Sequence, residues 1–189
     1  MLISGSADQS IKIIDINNRN EIHCFKDAHK DVISSVAISP NGKFIVSASN
    51  DKSIKIFDVI NKQELHNFQN IHKKEIVSIE FGSSGRLFFT GSADGSIKVF
   101  DLSIKQEVHH FPNAHDGRLL VKTYSNQNLD PITSIALARN KGYIVSASFD
   151  RSLKVFTIES KQEDFCIPDA HKGINLSIAS MIKMNRRSK

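Results

Sequence analysis

The chain has 189 residues, 40% apolar and 24% charged, with 25 basic against 20 acidic side chains and a formal net charge of +5. Such a composition can bury a core and excludes wholesale disorder, and a mild positive excess spread along the chain does not announce a nucleic-acid binder. No apolar run reaches the ~20 residues of a membrane helix, the opening Met1-Leu2-Ile3-Ser4-Gly5 lacks the basic and long apolar regions of a signal peptide, and Cys24 and Cys166 are too few for a disulfide framework.

In chain order, the first expected strand lies near Leu2 to Ser6, followed by a turn at Asp8 and a strand carrying Lys12 and Ile14. An outer strand with His23 and Cys24 comes next, then a strand over Asp31 to Ile38 that stops at the turn residues Pro40-Asn41-Gly42. Phe44-Ile45-Val46-Ser47 and Ile54-Lys55-Ile56-Phe57 are β-rich runs of strand length on either side of the turn Asn50-Asp51-Lys52. Glu64-Leu65-His66-Asn67-Phe68 alternates polar and apolar residues, as a half-exposed strand does.

The same order then returns. Asp8, Asp51 and Asp94 are 43 residues apart, and Asp150 follows 56 later; His29, His72, His115 and His171 keep the same steps. The third repeat therefore carries 13 additional residues between His115 and Asp150. Text around the aspartates is nearly copied: Ser4-Gly5-Ser6-Ala7-Asp8, Ser47-Ala48-Ser49-Asn50-Asp51, Thr90-Gly91-Ser92-Ala93-Asp94 and Ser146-Ala147-Ser148-Phe149-Asp150. No segment holds a long helical period. Four strands in about 43 residues is the length of a propeller blade.

This pattern resembles the WD-repeat family, relatives of the G-protein β subunit, over almost the whole chain. The family marks each repeat with Gly-His near its start and Trp-Asp near its end. Here the first mark reads Ala28-His29, Ile71-His72, Ala114-His115 and Ala170-His171; the second reads Ile14-Asp15, Phe57-Asp58, Phe100-Asp101 and Phe156-Thr157. The chain has no tryptophan. With strands named a to d from the axis outward, the resemblance implies an all-β, WD-repeat β-propeller of about four blades, an open arc of a larger propeller. A closed four-bladed ring is the alternative. The array is expected over 1–181, as a partial repeat 2–28, full repeats 29–71, 72–114 and 115–170, and a partial repeat 171–181. The third full repeat holds an insertion at 116–130, and 182–189 forms a basic tail. The chain is expected to open at strand b and to end on one further strand a, near Ile174 to Ser180, the sixteenth strand.

Ser47, His29 and Asp51 are also the residue types of a hydrolase triad. The resemblance implies instead a structural hydrogen-bond network repeated in every blade: His29, Ser47 and Asp51; His72, Thr90 and Asp94; His115, Ser146 and Asp150. An active site is not needed in triplicate, whereas a loop clamp is needed in each blade. Ile14, Phe57, Phe100 and Phe156 replace the family tryptophan; they fill space but donate no N–H, so the network is expected to be one bond shorter per blade. His23, His66 and His109 hint at zinc, yet they fall on outer strands of different blades, about 10 Å or more apart, too far to converge on one ion. Lys12, Lys55, Lys98 and Lys154 recur on strand c, expected as single lysines on a solvated strand. Gly82-Ser83-Ser84-Gly85 is expected as an a–b turn, not a phosphate loop, because no helix follows it.

In the resembled family, partners dock most often on the narrow rim where strand a begins and the b–c turn ends. The matching residues are Val32 and Ser34, Glu75 and Val77, Pro131 and Thr133, and Asn50, Ala93 and Phe149. Phe149 is the one aromatic among them, and the 116–130 insertion leaves the same rim, where a long loop on a rigid scaffold is commonly functional. The implied function is a non-catalytic scaffold that binds other proteins, in the cytoplasm or nucleus, with no cofactor, metal or membrane, and with self-association through open blade edges as a further expectation. The alternatives are an RNA-associated subunit for ribosome assembly or splicing, and a regulatory fragment of a larger multidomain enzyme.

Overall fold

Strands form wherever β-branched and aromatic residues run for four to seven positions between turn residues, and a computed structural model places fifteen of them and no helix in the described residues, 1–115, 131–138 and 142–170. Blade 1 contains β1 (Leu2–Gly5), β2 (Ile11–Asp15) and β3 (Asn20–Phe25). Blade 2 contains β4 (Ile33–Ile38), β5 (Phe44–Ser49), β6 (Ile54–Asp58) and β7 (Gln63–Phe68). Blade 3 contains β8 (Ile76–Phe81), β9 (Leu87–Ser92), β10 (Ile97–Asp101) and β11 (Gln106–Phe111). Blade 4 contains β12 (Ile132–Ala138), β13 (Tyr143–Ser148), β14 (Leu153–Thr157) and β15 (Gln162–Ile167). The insertion at 116–130, the expected sixteenth strand and the basic tail lie outside the described residues.

Each blade is an antiparallel meander in chain order, and blade 1 begins with strand b. Strand a carries a one-residue bulge in each four-stranded blade: Ile33 pairs Ser49 and Ser35 pairs Ala48, which leaves Ser34 outside the ladder. Val77 and Thr133 are left out in the same way. A bulge re-aims one side chain and increases local twist, and here it sits where the rim begins. The a–b turns use Gly42, Gly85 and Gly142 at φ near +70°, a conformation that favours glycine.

The core lies between blades. Val46, Ala48, Ile54, Ile56 and Phe68 of blade 2 pack against Ile76, Ile79, Phe81, Phe88 and Phe100 of blade 3. Ile11, Ile13 and Phe25 of blade 1 meet Ile45 and Phe57 of blade 2, and Phe89, Ile97, Val99 and Phe111 meet Ile132, Ile135, Ile144 and Phe156. Strand c explains the alternation: Ile54 and Ile56 face the next blade, while Phe57 faces the previous one. Near the axis, neighbouring blades are also latched, since Ile79 N donates to Ser35 Oγ at 3.3 Å and Ile135 N to Ser78 Oγ at 3.2 Å.

Gly91 marks a close approach of blades 3 and 4. A Cβ there would stand 2.9 Å from a methyl of Ile132 and 2.9 Å from one of Ile135. The corresponding Ala48 is accommodated at the preceding interface, buried against Ile76 and Ile79, so a single methyl can be absorbed. Gly91→Ala is expected to cost about 1 kcal/mol and Gly91→Val about 3 kcal/mol, since inserted bulk forces the packed neighbours aside. Urea unfolding of the two variants measures both; equal midpoints for valine and parent would show that Ile132 and Ile135 yield freely.

Candidate functional site

The loop from strand d to strand a delivers a buried histidine into the sheet of its own blade. His29 Nε2 lies 2.7 Å from Ser47 Oγ on strand b, and Nδ1 lies 3.1 Å from Asp51 Oδ2 in the b–c turn. Burial pushes the His29 imidazole below its ordinary pKa, so the neutral ring is favoured. The network then assigns Nδ1–H as donor to Asp51 and Nε2 as acceptor from the Ser47 hydroxyl. Asp51 also accepts the Lys30 N–H at 2.9 Å, tying the loop to the turn. Burial alone would raise the Asp51 carboxyl, but the Ser53 hydroxyl and the backbone N–H groups of Lys30 and Ser53 outweigh it and hold the pKa at about 2.

Blades 3 and 4 repeat the arrangement. His72 Nε2 is 2.9 Å from Thr90 Oγ1, and its Nδ1 is 3.3 Å from Asp94 Oδ2. Burial opposes ionisation of Asp94, yet hydrogen bonds from His72 and Ser96 hold it well below the usual carboxylate range. His115 is 2.7 Å from Ser146 and 2.9 Å from Asp150, whose carboxyl is held at about 2 against its burial, chiefly by His115 and Ser152.

A fourth member had not been anticipated from the sequence. Ser53 Oγ donates to Asp51 Oδ1 at 2.6 Å and lies 2.9 Å from His29 Nδ1. Ser96 and Ser152 bond Asp94 and Asp150 at 2.5 and 2.6 Å, and in blade 1 Ser10 bonds Asp8 at 2.7 Å. The signal was in the text: Ser10, Ser53, Ser96 and Ser152 each stand two residues after a turn aspartate, in the repeat register. In each full blade a serine hydroxyl thus stands beside the imidazole Nδ1, across the ring from the nitrogen bonded by Ser47, Thr90 or Ser146.

These atoms have the connectivity of an acyl-transfer triad, but Ser47, Thr90 and Ser146 are fully buried. A nucleophile has to come within ~3.5 Å of the carbon it attacks, and these hydroxyls present no surface to a substrate in the folded chain. What the arrangement can do is clamp a loop to a turn. The residues at the tryptophan positions fill the space beside it: Phe57, Phe100 and Phe156 are buried and Ile14 is half-buried.

The structure brings the candidate rim residues together in pairs across each blade. Asn50 N donates to Val32 O at 3.0 Å, Ala93 N to Glu75 O at 3.0 Å, and Phe149 N to Pro131 O at 3.1 Å. Ser34 Oγ donates to Ala48 O at 3.1 Å and to Ile76 O of the next blade, and Thr133 Oγ1 donates to Ala147 O at 3.2 Å. Val77 occupies the same bulge position in blade 3. Ser34 and Glu75 are exposed, the other small rim residues are half-buried, and Phe149 is 45% exposed.

The remaining candidates resolve individually. His23, His66 and His109 stack edge-on against Phe25, Phe68 and Phe111, at 4.5, 4.3 and 4.4 Å. Among the described residues, no group of three or more His, Cys, Asp or Glu is placed to hold a metal. Cys24 and Cys166 are free on β3 and β15. The expectation of solvated lysines on strand c needs correction. Lys55, Lys98 and Lys154 are only 15% exposed, and each pairs with a strand d glutamate: Glu64, Glu107 and Glu163, at 2.8, 2.8 and 3.0 Å. Strand d folds a glutamate over each lysine stem, so the stripe is covered and neutralised; only Lys12, paired with Glu21 at 2.9 Å, is 46% exposed. No described helix is long and apolar enough to cross a membrane.

A family profile described as WD domain, G-beta repeat matches residues 19–58, 62–101 and 118–157. No curated protein matches the chain at a significant level.

Proposed function

The chain belongs to the WD-repeat family, and from that premise we propose that it is a non-catalytic scaffold whose partners dock on the rim bearing Phe149. Domains of this family are in general protein-interaction scaffolds and are typically without catalytic activity. One observation carries the finer reading. Phe149 is a large aromatic, 45% exposed, on a turn whose backbone is bonded to Pro131 at 3.1 Å, where the matching residues are Ala7, Asn50 and Ala93. Aromatic residues, phenylalanine among them, are enriched at protein-binding interfaces relative to the rest of the surface. In the same reading the clamp residues His29, His72 and His115 with their Ser, Thr and Asp partners are structural, and the protein works in the cytoplasm or nucleus.

The RNA-associated alternative rests on the basic tail, because the strand c lysines are already paired. Affinity that falls steeply with salt would favour it.

Truncating Phe149 is expected to cost a partner ~2 kcal/mol, roughly thirtyfold in affinity. The measurement is quantitative capture from native lysate by the parent, Phe149→Ala, and the double variant Lys55→Ala with Lys98→Ala. Capture lost in the lysine variant and kept in Phe149→Ala would place the binding face elsewhere.

A further inference from the structure

The opposite ends of the strands, away from Phe149, carry a second concave feature. Between blades 2 and 3 the a–b and c–d turns leave a pit of about 460 Å³, within the range of sites that hold a ligand. Its apolar lining comes from Phe44, Ile56, Leu65 and Leu102, and Arg86 and Lys105 stand at its mouth. The corresponding gap between blades 3 and 4 is about 100 Å³ and is lined by Tyr143, which follows a left-handed glycine as Arg86 does. The gap is therefore wider between blades 2 and 3 than between blades 3 and 4.

The charge at its mouth is built in. Arg86 Nε donates to the buried Asp101 Oδ2 at 2.7 Å, and the arginine side chain stays 68% exposed, so its terminal N–H groups face outward. Lys105 Nζ donates to Leu65 O at 3.3 Å. Lys105 also holds a left-handed backbone angle, φ 53°, like Arg19, Lys62 and Lys161 at the same turn of the other blades. Glycine, asparagine and aspartate adopt that conformation most readily. The d–a loops follow the preference, with Asp27, Asn70, Asn113 and Asp169, and the a–b turns use glycine. Only the c–d turn takes a cation in every blade, against the local backbone preference. Among the described residues no carboxylate lines the pit, and Asp101 behind Arg86 is also engaged by the Ser103 hydroxyl at 2.5 Å.

We propose that this pit docks an acidic peptide that inserts one bulky apolar side chain among Phe44, Ile56, Leu65 and Leu102 while its flanking carboxylates meet Arg86 and Lys105. An apolar cavity supplies the anchor contact, and the Lys105 ammonium, bonded among the described residues only to a carbonyl, together with the outward N–H donors of the Asp101-paired Arg86, sets the sign of the flanks. The site is distinct from the Phe149 rim, at the other end of the strands.

The test is fluorescence anisotropy of the purified 189-residue chain with a labelled peptide of aspartates and glutamates around one central leucine. Saturable binding is expected, weakened roughly tenfold when the probe leucine becomes alanine and roughly tenfold in Lys105→Asp. Aspartate tolerates the left-handed angle, as Asp27 and Asp169 show, so that variant keeps its fold; Leu65→Asp, checked by thermal melting, tests the lining. Equal binding of the leucine-free probe would reduce the effect to general charge attraction and overturn the proposal. Unchanged affinity in Lys105→Asp, or no saturation up to about 1 mM probe, would do so as well. The titration needs no rim partner, so its outcome is independent of the lysate comparison.

Discussion

His72→Ala is expected to lower the free energy of unfolding by about 3 kcal/mol, the cost of leaving a buried carboxylate and a buried hydroxyl short of a hydrogen-bond partner. The imidazole is fully enclosed and joins three neighbours: Thr90 at 2.9 Å, Ser96 at 2.9 Å and Asp94 at 3.3 Å. Removing it leaves the Thr90 hydroxyl and the Asp94 carboxylate short of a partner in a place water does not reach. Asp94 retains the Lys73 N–H at 2.8 Å and Ser96 at 2.5 Å, which keeps the loss from being larger. Thr90→Ala, which removes one neutral bond, should cost about 1 kcal/mol. Urea titrations monitored by circular dichroism distinguish the two. The same clamps set the response to acid. Asp51 and Asp150 titrate at about 2 in the folded chain against an ordinary 3.8, so the unfolded chain takes up their protons first. Their stabilisation is complete above about pH 4 and is lost as pH falls towards 2. His29 is also lowered, from 6.5, and the unfolded chain therefore binds its proton first too, so a shallower loss begins near pH 6.5. A urea midpoint that stayed flat from pH 7 to pH 3 would contradict the burial and bonding assigned to these groups.

Phe100→Ala should be costlier still, about 4 kcal/mol. Its ring is completely buried and stacked on Phe88 with centroids 5.1 Å apart and planes 11° from parallel, and Phe68 of the preceding blade approaches to 5.1 Å. Deleting it opens a void shared by two blades and removes aromatic contacts on both sides. Phe100→Leu, which keeps most of the volume, should lose about 1.5 kcal/mol or less. Differential scanning calorimetry measures the pair. A difference between them below about 1 kcal/mol would mean that the interface collapses into the space, and that blades 2 and 3 are held chiefly by the aliphatic contacts around Ile76 and Ile79.

The blades were legible because their signals are local and copied. Asp51, Asp94 and Asp150 each fix a turn, each blade repeats the turn, and register multiplies weak marks into a strong one. The serines that complete the clamps were equally regular, but a serine two residues after an aspartate is common enough in turns to be passed over when the aspartate has already explained the turn. Lys55 and Lys98 were misjudged for a different reason. Whether a strand residue is covered depends on what the neighbouring strand lays over it, and the glutamates nine residues ahead, Glu64 and Glu107, reach the lysines only once strands c and d are paired. The pit between blades 2 and 3 was invisible for the same kind of reason, since its walls come from three strands and three turns of two blades.

The serine latches near the axis bear on how the array comes apart. Ile79 and Ile135 each donate a backbone N–H to the blade before them, so neighbouring blades share hydrogen bonds as well as apolar surface. In a nearest-neighbour description this raises the coupling between blades relative to the intrinsic stability of each one. Phe68 and Phe111, each 8% exposed, close the two interfaces on their outer side. The backbone amides of β8, whose strand is latched to both neighbouring blades, are expected to be among the last to exchange with solvent.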